Sequence, residues 1–321
     1  MRRSIAVPLG ILAAGTAGLA YAAGVEVNLY RLRRFTVPVL PPEARPLSIL
    51  QVSDIHMVPG QQRKQRWLRS LADLKPDVVV NTGDNLSHPE AVPEVLSALE
   101  PLMELPGAFV FGSNDYYQAK RLNPTKYLRP GDRSHAPRRK RPQNDWTALQ
   151  DAFTKSGWLD LTNARATLDL PGQHRTIGFV GVDDPHVRRD RYPALDPVPQ
   201  PPSQTEPQPT NKDATPPPQI TIGVAHAPYL RVLDAMTEEG LPLILAGHTH
   251  GGQLCLPFYG ALVTNCDLDR ARAKGLHTHT AQGRTSHLHV SAGCGASRYA
   301  PARFACPPEA SLITLVPPPA A

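Results

Sequence analysis

The sequence predicts an α/β fold on three observations. Short apolar runs of strand-like composition recur along the chain, amphipathic helical segments lie between them, and five of the runs end in Asp, Asn or His. At 321 residues the chain is long enough for one large α/β domain or two small ones. A hydrophobic content of 41% suits a globular body and argues against a multi-span membrane protein.

Taken in order, Arg2 and Arg3 precede an uncharged stretch, Ile5–Gly24, of a length that can span a bilayer. Ala20-Tyr21-Ala22 also fits a small-x-small cleavage site, so residues 1–24 are expected to be a retained transmembrane anchor or a cleaved signal segment. The flanking charges do not set an orientation, since Arg2 and Arg3 stand against Arg31, Arg33 and Arg34. Four cysteines, Cys255, Cys266, Cys294 and Cys306, contain no C-x-x-C, which disfavours a structural zinc knuckle. Their even number permits disulfides in an oxidising compartment, and buried thiols equally. The apolar stretch, the cleavage site and the even cysteine count together point to a membrane-anchored protein whose folded domain lies outside the cytoplasm.

Residues 25–44 read as an edge-strand linker, because Val25–Leu40 alternates and Pro41 and Pro42 close it. A single domain is expected over residues 45–317. Its first run, Leu47–Val52, leads into Ser53-Asp54-Ile55-His56, and Gln61–Leu74 follows as an amphipathic helix carrying Trp67, Leu68, Leu71 and Leu74. Asp77–Thr82 leads into Gly83-Asp84-Asn85. Ala91–Glu100 is a second helix, which Pro101 is expected to end or kink. Ala108–Phe111 leads into Gly112-Ser113-Asn114-Asp115.

Lys120–Arg141 then holds nine Lys or Arg against Asp132 alone. It reads as a solvated loop or as a basic lid that gathers phosphate oxygens. Trp146–Ser156 is a short helix, strands follow near Leu168 and over Thr176–Val182, and Asp183-Asp184-Pro185-His186 stands at a strand end. Pro193–Pro218 has no periodicity and reads as an insertion within the domain. Gln219–Ala225 leads into His226, and Leu243–Ala246 into Gly247-His248-Thr249-His250-Gly251-Gly252. Beyond lie short β segments with a charged patch at Asp267–Lys274, and Ala310–Val316 closes the chain as a final strand. His277, His279, His287 and His289 alternate on those segments and are expected as exposed or sheet-edge residues, not ligands.

A His-x-His pair alone is a weak signal. Here it is the last of five strand ends that each supply Asp, Asn or His, and ligands in α/β sheets gather at the carboxyl ends of strands. Mixed imidazole and carboxylate donors offer a site for a divalent metal.

These blocks resemble the calcineurin-like metallophosphoesterase family, whose pattern runs Asp-x-His, Gly-Asp, Gly-Asn-His-Asp or Glu, His, then Gly-His-x-His. In this chain they read Asp54-Ile55-His56, Gly83-Asp84, Gly112-Ser113-Asn114-Asp115, His226 and Gly247-His248-Thr249-His250. The resemblance covers about residues 45–317 and is strongest to a bacterial, membrane-associated, single-domain branch. It implies a four-layer α/β-β/α sandwich with two central β-sheets. It also implies two divalent metal ions held by Asp54, His56, Asp84, Asn114, His226, His248 and His250. Asp54, His56 and His250 go to one ion, His226 and His248 to the other, and Asp84 bridges both. The mixed nitrogen and oxygen donors suit Mn, Fe or Zn better than Ca or Mg. Two such ions about 3.5–4 Å apart clamp a phosphoryl group and generate hydroxide near neutral pH, so no Ser or Cys nucleophile is needed.

One block departs from the pattern. Aligned without a gap, Ser113 takes the Asn ligand position and Asn114 the His position. A one-residue shift keeps Asn114 as ligand and puts Asp115 where the His stands. Either register removes the His that neutralises the leaving oxygen, leaving Asn114 and Asp115 as the catalytic candidates and Asp115 or His186 as proton donor.

The expected function is a metal-dependent phosphoesterase, first of all a phosphodiesterase. Its expected partners are a phosphate ester, such as a lipid head group or envelope component, and the membrane. The alternative is a metal-binding regulatory or binding module with reduced or no turnover. A zinc peptidase lacks its His-Glu-x-x-His here. The net charge of +6 and pI near 9.2 fit anionic substrates or membrane surfaces, and nucleic-acid binding is not expected.

Overall fold

The computed structural model describes residues 15–118, 142–170, 172–173, 175–194, 218–256 and 258–319. The basic segment Lys120–Arg141, residues 195–217 of the Pro-rich insertion and residues 1–14 of the N-terminal stretch lie outside the described residues.

The chain begins its sheets with β1 (Arg31–Pro38), β2 (Leu47–Val52), β3 (Val78–Asn81), β4 (Gly107–Phe109) and β5 (Leu159–Asp160). Helices α1 (Gln62–Ser70), α2 (Val92–Met103), the single turn α3 (Ser113–Tyr116) and α4 (Trp146–Lys155) connect them. Next come β6 (Arg165–Leu170), β7 (Arg175–Gly181), β8 (Thr221–Val224), helix α5 (Leu230–Glu239) and β9 (Leu243–Ala246). A small hairpin, β10 (Cys255–Leu256) and β11 (Gly260–Ala261), precedes β12 (Gly275–Ala281), β13 (Arg284–Val290) and β14 (Glu309–Val316).

Two six-stranded sheets result, ordered β1-β14-β2-β3-β4-β5 and β12-β13-β9-β8-β7-β6. The buried runs at β2 to β5 and at β7 to β9 are parallel, which suits strands covered on both faces. β14, β6 and β12 each pair antiparallel with a neighbour, so both sheets are mixed. β1 pairs in register with all eight residues of β14, making the expected edge strand an integral part of the first sheet.

The period-two alternation of the strands sorts the chain into four layers. Ile49, Val78 and Val80 face Phe179, Ile222, Leu243 and Leu245 in the core between the sheets. Their neighbours Leu50 and Val79 turn outward onto Leu68 of α1, Val95 and Leu99 of α2, and Phe153 of α4. On the far side Val180, Ile244 and Leu288 meet Val232, Leu233 and Met236 of α5. Each such buried side chain contributes on the order of 1.5–3 kcal/mol.

Three local expectations are corrected, and the choice left open at the cysteines is decided. Pro101 does not end α2, which runs on to Met103. Proline cannot donate to the carbonyl four residues back, and the guanidinium of Arg69 takes that place on the Ser97 carbonyl. Residues 21–28 form helical turns, because buried Glu26 accepts the Cys306 amide at 2.6 Å and folds the segment back on the domain. His279 and His289 are buried. His279 Nε2 lies 2.7 Å from Asp234, and His289 Nδ1 lies 2.7 Å from Gln51 Oε1, joining the two sheets. All four cysteines are buried free thiols. Among the described residues no helix is long and apolar enough to cross a membrane.

Candidate metal centre

The loops after β2, β3, β8 and β9 leave the carboxyl ends of both sheets and converge. They bring six residues into two triads, Asp54, His56 and His250 in one, Asp84, His226 and His248 in the other. All six are buried.

In the first triad His56 Nε2 lies 3.0 Å from His250 Nε2, and Asp54 Oδ1 lies 3.5 Å from His250 Nε2 and 3.9 Å from His56 Nε2. In the second, His226 Nε2 lies 3.3 Å from His248 Nδ1. Asp84 Oδ2 stands between them, 3.5 Å from both His56 Nε2 and His226 Nε2.

The tautomers follow from the outer contacts. His226 Nδ1 donates to the Thr82 carbonyl at 2.8 Å, which turns Nε2 toward Asp84, 3.5 Å away. His56 Nδ1 meets Ser87 Oγ at 2.8 Å, and His248 Nε2 lies 3.4 Å from the Asn265 carbonyl. Burial holds His56 down to about 4 and His250 well below the usual range, the latter helped by His56 and the Arg303 guanidinium. Burial raises Asp54 to about 6, and the charge of Asp84 adds to it. Burial also opposes charge on Asp84, but His226 and His56 overcome it and hold that carboxyl well below its usual range.

A divalent ion fits this donor set. Asp54 Oδ2 accepts from Ser53 Oγ at 2.5 Å and from the His248 amide at 2.9 Å, while buried Oδ1 has no hydrogen-bond partner and faces the two rings. A buried carboxylate oxygen aimed at two neutral imidazoles is the environment a cation completes.

The backbone is bent to make this cradle. Asp54, His56, Asp84, His248 and His250 all take left-handed φ values, between 46° and 68°. Such conformations cost about 1–3 kcal/mol each in side-chain-bearing residues and persist where the surroundings enforce them. Two glycines leave room: a Cβ on Gly112 would strike Asp84 and His226, and one on Gly247 would strike Ser53 and Asp54.

The residue pattern that defines calcineurin-like phosphoesterases matches residues 47–252, a span that holds both triads. The chain belongs to the calcineurin-like phosphoesterase family. It is a hydrolase of phosphate esters that binds divalent metal, and the two triads are the candidate ligand sets. The Bacillus subtilis metallophosphoesterase YkuE is 24% identical over 318 residues, 97% of this chain and 93% of that one. A zebrafish (Danio rerio) protein named as a transmembrane protein with a metallophosphoesterase domain is 29% identical over 227 residues, 68% of this chain and 44% of that one. Its bovine (Bos taurus) counterpart is 27% identical over 248 residues, 72% of this chain and 44% of its own.

In this phosphoesterase Asn114 reaches the centre. Its amide N–H and side-chain Nδ2 donate to Asp84 Oδ1 and Oδ2 at 2.7 and 2.6 Å. Ser113 is buried at the start of α3. Asp115 is turned away from the triads: its carboxylate accepts the amides of Asp84 and Asn85, each at 2.7 Å, and of Gly112 at 2.9 Å. That geometry makes Asp115 a clamp between two ligand loops, with no oxygen directed at a leaving group. His186 stands closer to the chemistry. Its ring centroid lies 4.4 Å from that of His248, with Nδ1 3.0 Å from the Tyr229 hydroxyl.

Several supporting residues carry no sequence signal. Fully buried Arg303 stands 3.2 Å from His250 Nδ1 and donates to the carbonyls of Ala292 at 2.6 Å and Cys306 at 3.1 Å. Buried Lys64 donates to the Ile55 carbonyl at 2.8 Å, holding the first ligand loop. Ser87 and the Asn265 carbonyl orient ligands from positions that no local pattern marks. Only the fold brings them together.

Proposed function

We propose that this phosphoesterase is a phosphodiesterase working with two divalent ions, Mn, Fe or Zn. The observation that carries the reading is the placement of Asp84 Oδ2, 3.5 Å from one histidine of each triad, where a single carboxylate offsets charge at both sites. Bound there, the ions supply Lewis acidity toward phosphoryl oxygens and lower the pKa of water.

The chain's own groups do the rest. Asp54, His56 and His250 hold one position, and Asp84, His226 and His248 the other, with Asn114 beside Asp84 as a further ligand. His186, next to His248, carries the proton to the leaving oxygen in place of the family's missing histidine. A singly charged diester suits the site better than a monoester dianion. Among the described residues Arg189 is committed to Asp183 at 2.7 Å and Arg303 is enclosed behind His250, so neither is offered to substrate.

The uncharged stretch at residues 5–24 supports attachment to a membrane with the catalytic domain on the extracytoplasmic side, and a lipid head group or envelope component as substrate. The relatives named as transmembrane proteins agree with this reading. The deciding experiment is a screen of phosphomonoesters against phosphodiesters with Mn²⁺, Fe²⁺ or Zn²⁺ added. Diester turnover in excess of monoester turnover is expected. Monoester preference, or metal binding without any turnover, overturns the proposal.

A further inference from the structure

We propose that the β10–β11 hairpin and the surface it shares with the N-terminal helical turns form an interfacial face that seats the metal centre on a lipid surface, so that the substrate is a phosphoester of an amphiphile carried in that surface. The substrate clause rests on the phosphoesterase reading above. The lipid contact does not.

Exposed large apolar side chains are not scattered over this molecule. Among the described residues all but Tyr192 fall in three stretches: the N-terminal turns with Leu19, Tyr21 and Val25, the hairpin, and Tyr299. On the hairpin Leu254, Leu256, Tyr259 and Leu262 are 38–60% exposed and Phe258 is wholly exposed. A contiguous apolar surface of this kind marks an interaction site.

The three stretches are one surface. Phe304 ties them together: its backbone accepts from Cys255 N at 2.9 Å and donates to Gln253 at 3.0 Å, and its ring meets the edge of Tyr21. Arg303 N donates to the Ala22 carbonyl at 3.0 Å, and Gln253 Nε2 to the Ala300 carbonyl at 2.5 Å. The same hairpin frames the metal centre. Its first stem leaves the His250–Gly252 turn, and the loop after its second stem returns the Asn265 carbonyl to within 3.4 Å of His248 Nε2.

The occupant is a bilayer surface, for two reasons. Residues 15–20, which belong to the uncharged Ile5–Gly24 stretch, are helical and largely exposed and lead into this face at Tyr21. Basic groups also sit on the aromatic rings, as at the head-group level of a membrane. Arg270 lies 4.6 Å over the Tyr259 ring and donates to its hydroxyl at 2.6 Å, and Arg298 lies 5.6 Å from the Tyr299 ring. The nearby acids are engaged, Asp267 with the Leu230 amide and Asp269 with that of Ala271.

The test uses the full chain carrying Phe258→Trp, a substitution at a wholly exposed position, with vesicles of phosphatidylethanolamine and phosphatidylglycerol that have brominated acyl chains. Emission in excess of the unsubstituted chain is expected to shift to the blue and to be quenched. Absence of quenching, whether or not the chain pellets with the vesicles, overturns the face. A blue shift on concentrating the protein without lipid assigns it to a second copy and overturns it too. Phe258→Asp is then expected to lower kcat/KM about tenfold for a vesicle-borne diester and to leave a soluble aryl diester unaffected. Equal effects on both substrates overturn the substrate clause. A wild-type chain inactive on both substrates, with the Phe258→Trp chain quenched, sinks the diester reading while the lipid face stands.

Discussion

The Nε2 atoms of His56 and His250 stand 3.0 Å apart, with both rings buried and tilted 34° to one another. Two imidazoles so placed present two lone pairs to one point, and buried Asp54 Oδ1 presents a third donor to it. The neighbouring triad repeats the arrangement across Asp84. From this pairing the first prediction follows.

Asp84→Ala is expected to remove metal from both positions and to take hydrolysis to background, because its carboxylate serves both triads and anchors Asn114. Metal analysis of the purified variant checks this. Two ions per chain retained in the variant would falsify the bridging role.

His186→Gln is expected to lower kcat roughly 10²–10³-fold for diesters with alkyl leaving groups, and to leave a p-nitrophenyl diester nearly unaffected. A phenolate of low pKa departs without a proton, so the contrast between leaving groups isolates proton donation. Equal losses on both substrates would assign His186 to positioning His248 instead.

Asp115→Asn should behave in the opposite way. Three backbone donors lose a charged acceptor, and the amide group opposes at least one of them, at a cost of about 2–3 kcal/mol. Urea unfolding measures the loss. Activity should fall by the same factor for every leaving group, since the defect lies in the loops. A leaving-group dependence like that of His186 would restore Asp115 to the chemistry.

His289 supplies a pH prediction away from the metal. Burial pushes its pKa down to about 3, against an ordinary 6.5, so between these values the unfolded chain binds a proton that the folded chain does not. Its contribution is therefore intact above about pH 6.5 and falls as the pH drops toward 3. His289→Asn cannot titrate, and its stability should decline less than that of the parent between pH 7 and pH 4. Parallel declines for the two chains would show that His289 titrates normally in the fold.

What could be read in advance was whatever repeats at short range. The apolar runs at residues 47–52, 78–80 and 243–246 alternate or are wholly apolar, and each ends in a ligand, so both strand and donor were legible together. The outer contacts were not. Arg303 reaches His250 across 53 positions, and Asn265 reaches His248 across 17, with no local feature to announce either. Pro101 misled because its helix-breaking effect is offset by Arg69, a side chain from another helix. His279 and His289 misled for a related reason. Alternation marked them as strand residues, but which face is covered depends on Asp234 and Gln51, contributed from outside their own sheet pair.

The register of Gly112-Ser113-Asn114-Asp115 turned on hydrogen bonds that sequence does not contain. Asp115 caps three amides, as a helix-start acid does, while Asn114 extends to Asp84. One letter of the pattern was ambiguous, and side-chain direction separates the roles.

Each triad is drawn from both sheets. Asp54 and His56 follow a strand of the first sheet and His250 one of the second, while Asp84 comes from the first and His226 and His248 from the second. Neither sheet alone can assemble a complete triad, so a divalent ion held by either triad would rivet the two sheets together at one end of the sandwich. Sliding of one layer over the other by even an ångström would open both positions together. Affinity for the ions is thereby a gauge of how the two halves of the molecule are aligned, and core substitutions far from any ligand, at Ile49 or Phe179 for example, will register first as a change in metal retention.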